Sequence, residues 1–109
     1  MREMTTNELT KAALNYLDAV GWKDYMWRQN NLAVKGRKFI GKKGVPDLIG
    51  IHRKTGGFLA MEIKAGKDKA SKEQITFIDD VNKTPYGHAA FIKTYDDVIK
   101  FVKSYPNNM

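Results

Sequence analysis

The chain has no cysteine. That absence removes disulfides, thiolate zinc sites and cysteine nucleophiles together. No apolar run approaches the roughly 20 residues needed to cross a bilayer, and the polar opening MREMTTNELT lacks the apolar stretch of a signal peptide. The expected compartment is the cytoplasm, at the nucleoid if the partner is DNA. Acidic residues are scarce in one region. Between residues 28 and 72 only Asp47, Glu62 and Asp68 stand against twelve Lys or Arg, so this segment carries +9 while the remainder carries −2. A basic field so localised suits a polyanion, because each neutralised phosphate releases counterions. An anionic membrane, an acidic protein or a merely solvated surface would also fit the charge alone.

The 109 residues, 42% of them hydrophobic, suffice for one domain with one core, and a single domain over 1–109 is expected. Leu9, Ala12, Ala13, Tyr16, Leu17 and Val20 recur at helical spacing, and Gly21 is placed to end the run. Tyr25–Asn30 reads as a strand that leads into a basic loop ending at Gly44. Asp47–His52 and Phe58–Lys64, joined by the turn-like RKTGG, read as an antiparallel hairpin. Ile75, Phe77, Ile78 and Val81 mark a second helix, and HAAFIK a fourth strand. A terminal helix from Tyr95 then fades into a flexible tail over residues 105–109. The class is α/β. Ile49, Ile51, Phe58 and Ala60 line one face of the hairpin and Leu48, Leu59, Met61 and Ile63 the other, which predicts helices on both faces.

Asp47, Glu62 and Lys64 break this apolar pattern. Burying a charge without a partner costs several kcal/mol, so such residues are paired or functional. Glu62 and Lys64 share a face by alternation. An even-numbered loop gives paired residues an odd sum, which puts Asp47 on that face too. A sum of 109 sets it opposite Glu62, and 111 opposite Lys64. Two adjacent carboxylates repel unless a cation intervenes. With no cysteine and no histidine pair nearby, oxygen donors favour Mg²⁺, with Mn²⁺ as substitute. The basic loops would bring phosphates, and Lys64 could hold the attacking water or stabilise phosphoryl charge. Metal-assisted phosphodiester hydrolysis is the reaction class implied.

Gly44-Val45-Pro46-Asp47-Leu48, Glu62-Ile63-Lys64 and Ser71-Lys72-Glu73-Gln74 resemble the motifs of the PD-(D/E)xK nuclease superfamily. More narrowly, they are similar to its virus-type replication-repair nuclease (VRR-NUC) family. The resemblance spans Glu8 to HAAFIK in the expected order. It implies a restriction-endonuclease-like core of order αβββαβα with a mixed four-stranded sheet flanked by helices. It further implies Asp47, Glu62 and the Ile63 backbone carbonyl as metal ligands and Lys64 as a catalytic lysine. Glu8 and Gln74 would support them, Glu8 as a second-metal or outer-sphere ligand. Stand-alone members suggest four-way DNA junctions as substrate, a homodimer as the working unit, and a bacterial or phage-infected cell as the setting.

Other readings accompany these. Glu8 lies three residues after Thr5, and Gln74 three after Ser71, so each also fits a capping box whose only task is to start a helix. Arg28, Lys35, Arg37, Lys38, Lys42, Lys43, Lys67, Lys69 and Lys72 are candidate phosphate contacts. Arg28 would point to the same cleft, or else form a surface salt bridge. Trp22, Tyr25 and Trp27 suit the core or a subunit interface, and His52 and His88 a surface role at strand ends. The expected activity is a structure-selective Mg²⁺-dependent DNA endonuclease, since no base-reading module is present. The rivals are a monomeric flap, single-strand or nonspecific nuclease, and a non-catalytic basic DNA-binding domain.

Overall fold

The computed structural model describes residues 4–29 and 44–106. Its order is α1 (Thr6–Ala19), β1 (Met26–Arg28), β2 (Leu48–Ile51), β3 (Phe58–Ile63), α2 (Lys72–Asn82), β4 (His88–Ile92) and α3 (Tyr95–Lys103). This is the predicted succession, with β1 shorter than Tyr25–Asn30 and α3 ending at Lys103. Each helix starts on a capping box: Thr5 with Glu8, Ser71 with Gln74, and Thr94 with Asp97. In each, the hydroxyl accepts one orphan N–H of the first turn while the acid or amide accepts the cap N–H.

The sheet runs β1-β2-β3-β4. β1 and β2 pair antiparallel, as do β2 and β3, whereas β3 and β4 are parallel and need the α2 crossover between them. β3 is therefore central, and its residues from Leu59 to Ile63 are all buried. The two faces divide as the alternation predicts. Leu48, Leu59, Met61 and Ile63 meet Leu9, Ala13 and Leu17 of α1 and Val98 and Phe101 of α3. On the other face, Ala60 and Ala89 meet Ile78 and Val81 of α2, with Ile49, Phe58, Phe77 and Phe91 at the margin. That second cover is partial. α2 packs on β3 and β4, and over β1 and β2 Trp27 is 45% and Ile51 42% exposed.

The outer edge of β4 is guarded by one side chain. Asn82 donates to the Ala89 carbonyl at 2.8 Å and accepts from the Ala89 N–H at 2.9 Å, as a neighbouring strand would. This blunts a surface on which another chain could pair.

Two expectations are corrected by packing. His88 is buried, not at the surface: α3 crosses over the start of β4, and the ring Nε2 lies 2.7 Å from the Phe101 carbonyl. Tyr105, expected to open the tail, is docked. It stacks on His52, meets Trp22 edge-on, donates to the Tyr86 carbonyl and pairs with the Thr55 hydroxyl. Trp22 and Tyr25 belong to this aromatic group, while Trp27 belongs to neither core. Among the described residues no helix is long and apolar enough to cross a membrane.

Candidate active site

Paired residues of β2 and β3 sum to 109, as in Leu48 with Met61 and Ile49 with Ala60. One step further sets Asp47 opposite Glu62, the first of the two predicted registers. The turn explains the parity. His52 N–H donates to the Gly57 carbonyl at 2.9 Å, so pairing continues past Ile51 and leaves an even turn of four residues, Arg53 to Gly56.

Asp47 is held from both sides. Its Oδ2 accepts the Ile63 N–H at 2.9 Å, and its carbonyl accepts the Gln29 N–H at 2.7 Å. Glu62 is 4% exposed. Its Oε1 accepts from Gln74 Nε2 at 3.1 Å and lies 3.7 Å from Lys64 Nζ. Its Oε2 is buried with no hydrogen-bond partner among the described residues. Burial, reinforced by the Asp47 carboxylate and opposed by Lys64, pushes the Glu62 carboxyl from its ordinary 4.5 up to about 7.

A buried carboxylate oxygen that receives no donor among the described residues is costly, and here a second carboxylate, Asp47, stands on the same face and adds to the rise in the Glu62 pKa. The pair suits a hard cation. Mg²⁺ is commonly held by one or two carboxylates together with waters and substrate phosphate, and Asp47 and Glu62 would fit such an ion. A closed structural site is not built: among the described residues no group of three or more His, Cys, Asp or Glu could hold a metal.

The raised Glu62 pKa sets a stability profile for the metal-free protein. Between about pH 4.5 and about 7 the folded state holds a proton that the unfolded state has lost, so stability falls as pH rises through that window. Thermal melts in a chelating buffer should show this decline, and Mg²⁺ addition at pH 6 should release protons measurable in weakly buffered solution. A melting temperature that climbs from pH 4.5 to 7 would contradict the assignment.

The segment Gly44–Asp47 is anchored to α2. Gly44 has φ +84°, and a Cβ there would stand 2.6 Å from the Glu73 carbonyl carbon. Glycine is required on both counts. Gly44→Ala is expected to cost about 1–3 kcal/mol from the backbone alone, with more from the clash. Since the clash pushes Asp47 away from Glu62 and Gln74, cleavage should fall further than stability, as urea melts and rate measurements on one preparation would show.

Gln74 caps α2 and also reaches Glu62. Its Oε1 accepts the Ser71 N–H at 2.8 Å, closing the capping box, while its Nε2 holds Glu62. Glu8 is placed as a cap, its Oε1 accepting from Thr5 N–H at 3.0 Å. Arg28 pairs with Leu48 and so leaves β1 on the face of Leu48, not toward the carboxylate pair. Lys67, Lys69 and Lys72 are exposed just beyond Lys64, around the start of α2. Lys35, Arg37, Lys38, Lys42 and Lys43 lie outside the described residues. Ile63, named for its carbonyl, also serves through its N–H. Gln29, just past β1, meets Asp47 through its backbone N–H alone.

The VRR-NUC domain family matches residues 6–91. A solved structure described as a VRR_NUC domain protein is 28% identical, with 99% of this chain and 93% of that one covered and a TM-score of 0.70. A second, described as a VRR_NUC domain, shares the fold at 20% identity, 94% and 99% coverage and a TM-score of 0.58. No curated protein matches. The family match runs from α1 into β4, a span that includes Asp47, Glu62, Lys64 and Gln74, and the chain belongs to the VRR-NUC family of PD-(D/E)xK-type nuclease domains.

Proposed function

We propose that this protein is a Mg²⁺-dependent DNA endonuclease that selects branched DNA, a four-way junction above all, and works as a homodimer. The buried, unpartnered Oε2 of Glu62 opposite Asp47 is the observation that carries the metal-dependent chemistry. A divalent cation held by Asp47, Glu62 and the Ile63 carbonyl would supply Lewis-acid polarisation of the scissile phosphate. Gln74 orients Glu62 through Oε1 and leaves Oε2 for the cation. Lys64, 3.7 Å from that same Oε1, is positioned to hold the attacking water or to donate to the phosphoryl oxygens. Lys67, Lys69 and Lys72 meet the backbone, which carries no sequence information, so shape remains as the basis of selection. One site makes one nick, and symmetrical cutting of a two-fold junction needs two copies.

The test is cleavage of an end-labelled four-way junction against a linear duplex of the same arms, in Mg²⁺, with Glu62→Ala as control. Paired symmetrical nicks on the junction, absent in the variant, are expected. Single or unpaired cuts on flaps or duplex would replace the resolvase with a monomeric nuclease. Junction binding without any cleavage would leave a DNA-binding domain.

A further inference from the structure

Trp27 is the one apolar residue of β1 whose side chain neither core explains. It pairs with Ile49 and so shares the face of Ile49, Asp47 and Glu62. It makes no ring contact among the described residues, whereas Trp22 and Tyr25 pack against His52. At 45% exposed, this indole leaves in water much of the apolar surface that an ordinary chain would bury. With a rise of about 3.3 Å per residue and about 4.8 Å between strands, its Cα stands about 8 Å from that of Asp47. That is within the reach of the nucleotide adjoining a phosphate held by the carboxylates.

The position restricts what can cover it. A partner protein seated on Trp27 would lie over the open part of the sheet face, where the phosphodiester must reach Asp47 and Glu62. The substrate itself has no such conflict. We infer that Trp27 is a stacking platform for an unpaired base next to the scissile phosphate. In uninterrupted duplex both faces of each base are covered by its neighbours, so the indole finds nothing to stack on. At a branch point or in a single strand a base face is free, and stacking on an aromatic side chain tolerates any sequence. Trp27 would thus supply part of the preference for branched DNA. The inference rests on the nuclease reading for the path of the substrate, but its readout is binding.

The test uses Glu62→Gln protein, so that DNA stays intact, with labelled decathymidylate, a four-way junction with unpaired thymines at its centre, and blunt duplex. Trp27→Ala is expected to weaken binding of the first two by about 10- to 100-fold and that of duplex by less than about 3-fold, with Trp27→Phe retaining most of the affinity. Decathymidylate should quench the tryptophan emission, and Trp27→Phe should abolish that quench, because Trp22 is packed among other rings. Should Trp27→Ala fail to fold, the quench comparison decides alone. Equal affinities, or an unchanged quench in Trp27→Phe, would overturn the platform. A change of mass by light scattering in Trp27→Phe would overturn it in favour of a contact between copies. If the quench is seen while wild-type protein cleaves nothing in Mg²⁺, the platform stands and the nuclease reading fails.

Discussion

Glu62→Gln is expected to slow cleavage by at least about 10³-fold while leaving the fold intact. Lewis-acid stabilisation by a bound metal contributes several kcal/mol to the transition state, and about 4 kcal/mol corresponds to that factor. Glutamine keeps the shape, and its amide can still meet Gln74, but it cannot neutralise a cation. Asp47→Asn should cost a similar factor, and the double variant scarcely more, because the two carboxylates serve one ion and their losses are not additive. The stability change has the opposite sign. Wild-type Glu62 without metal carries a buried oxygen lacking a partner and a like charge across the strand pair, so Glu62→Gln should melt higher than wild type at pH 7 in chelating buffer. The difference should vanish below about pH 4.5, where Glu62 is protonated in both states. A variant that cleaves within tenfold of wild type, or that melts lower at pH 7, would refute the metal-holding role.

Leu59→Ala is expected to remove about 2–5 kcal/mol of stability, a large share of the roughly 5–15 kcal/mol typical of a domain. Leu59 lies on the central strand, fully buried against residues of α1 and α3. Truncation leaves a cavity between two layers that cannot both collapse into it. Ile75→Ala offers the contrast. Ile75 is 45% exposed on the outside of α2, and its loss should stay within about 0.5 kcal/mol. Urea unfolding at constant m-value measures both. Equal effects at the two positions would contradict the placement of Leu59 in the core and of Ile75 on the outer side of α2.

Much of this fold is legible locally because local rules decide it. The α1 periodicity, the three hydroxyl-capped starts and the alternation of Leu48–Ile51 against Phe58–Ile63 depend on near neighbours. Even the Asp47–Glu62 register is constrained to two values by the parity of a short turn. Legibility ends where the connecting chain is long. Between Arg28 and Leu48 no short turn transmits parity, so the face taken by Arg28 could not be read, and it is the face away from the site. His88 looked like a strand-end surface residue because nothing in HAAFIK reveals that α3 crosses over it. Tyr105 looked like tail because its partners, His52, Thr55 and Tyr86, are distant in sequence.

The sequence by itself determined the α/β order, the two apolar faces of the hairpin, and the identity of Asp47, Glu62 and Lys64 as a polar group in an apolar sheet. Charge patterning and period-2 alternation are properties of the chain as written. Tertiary structure alone decided which register was realised, that Gln74 caps α2 and holds Glu62 at once, that Oε2 has no partner among the described residues, and that Trp27 stays 45% exposed. The double contact of Gln74 and the partial cover of that face depend on how α2 seats over β3 and β4. That seating is set by side-chain packing between segments remote in sequence, and no local pattern encodes it.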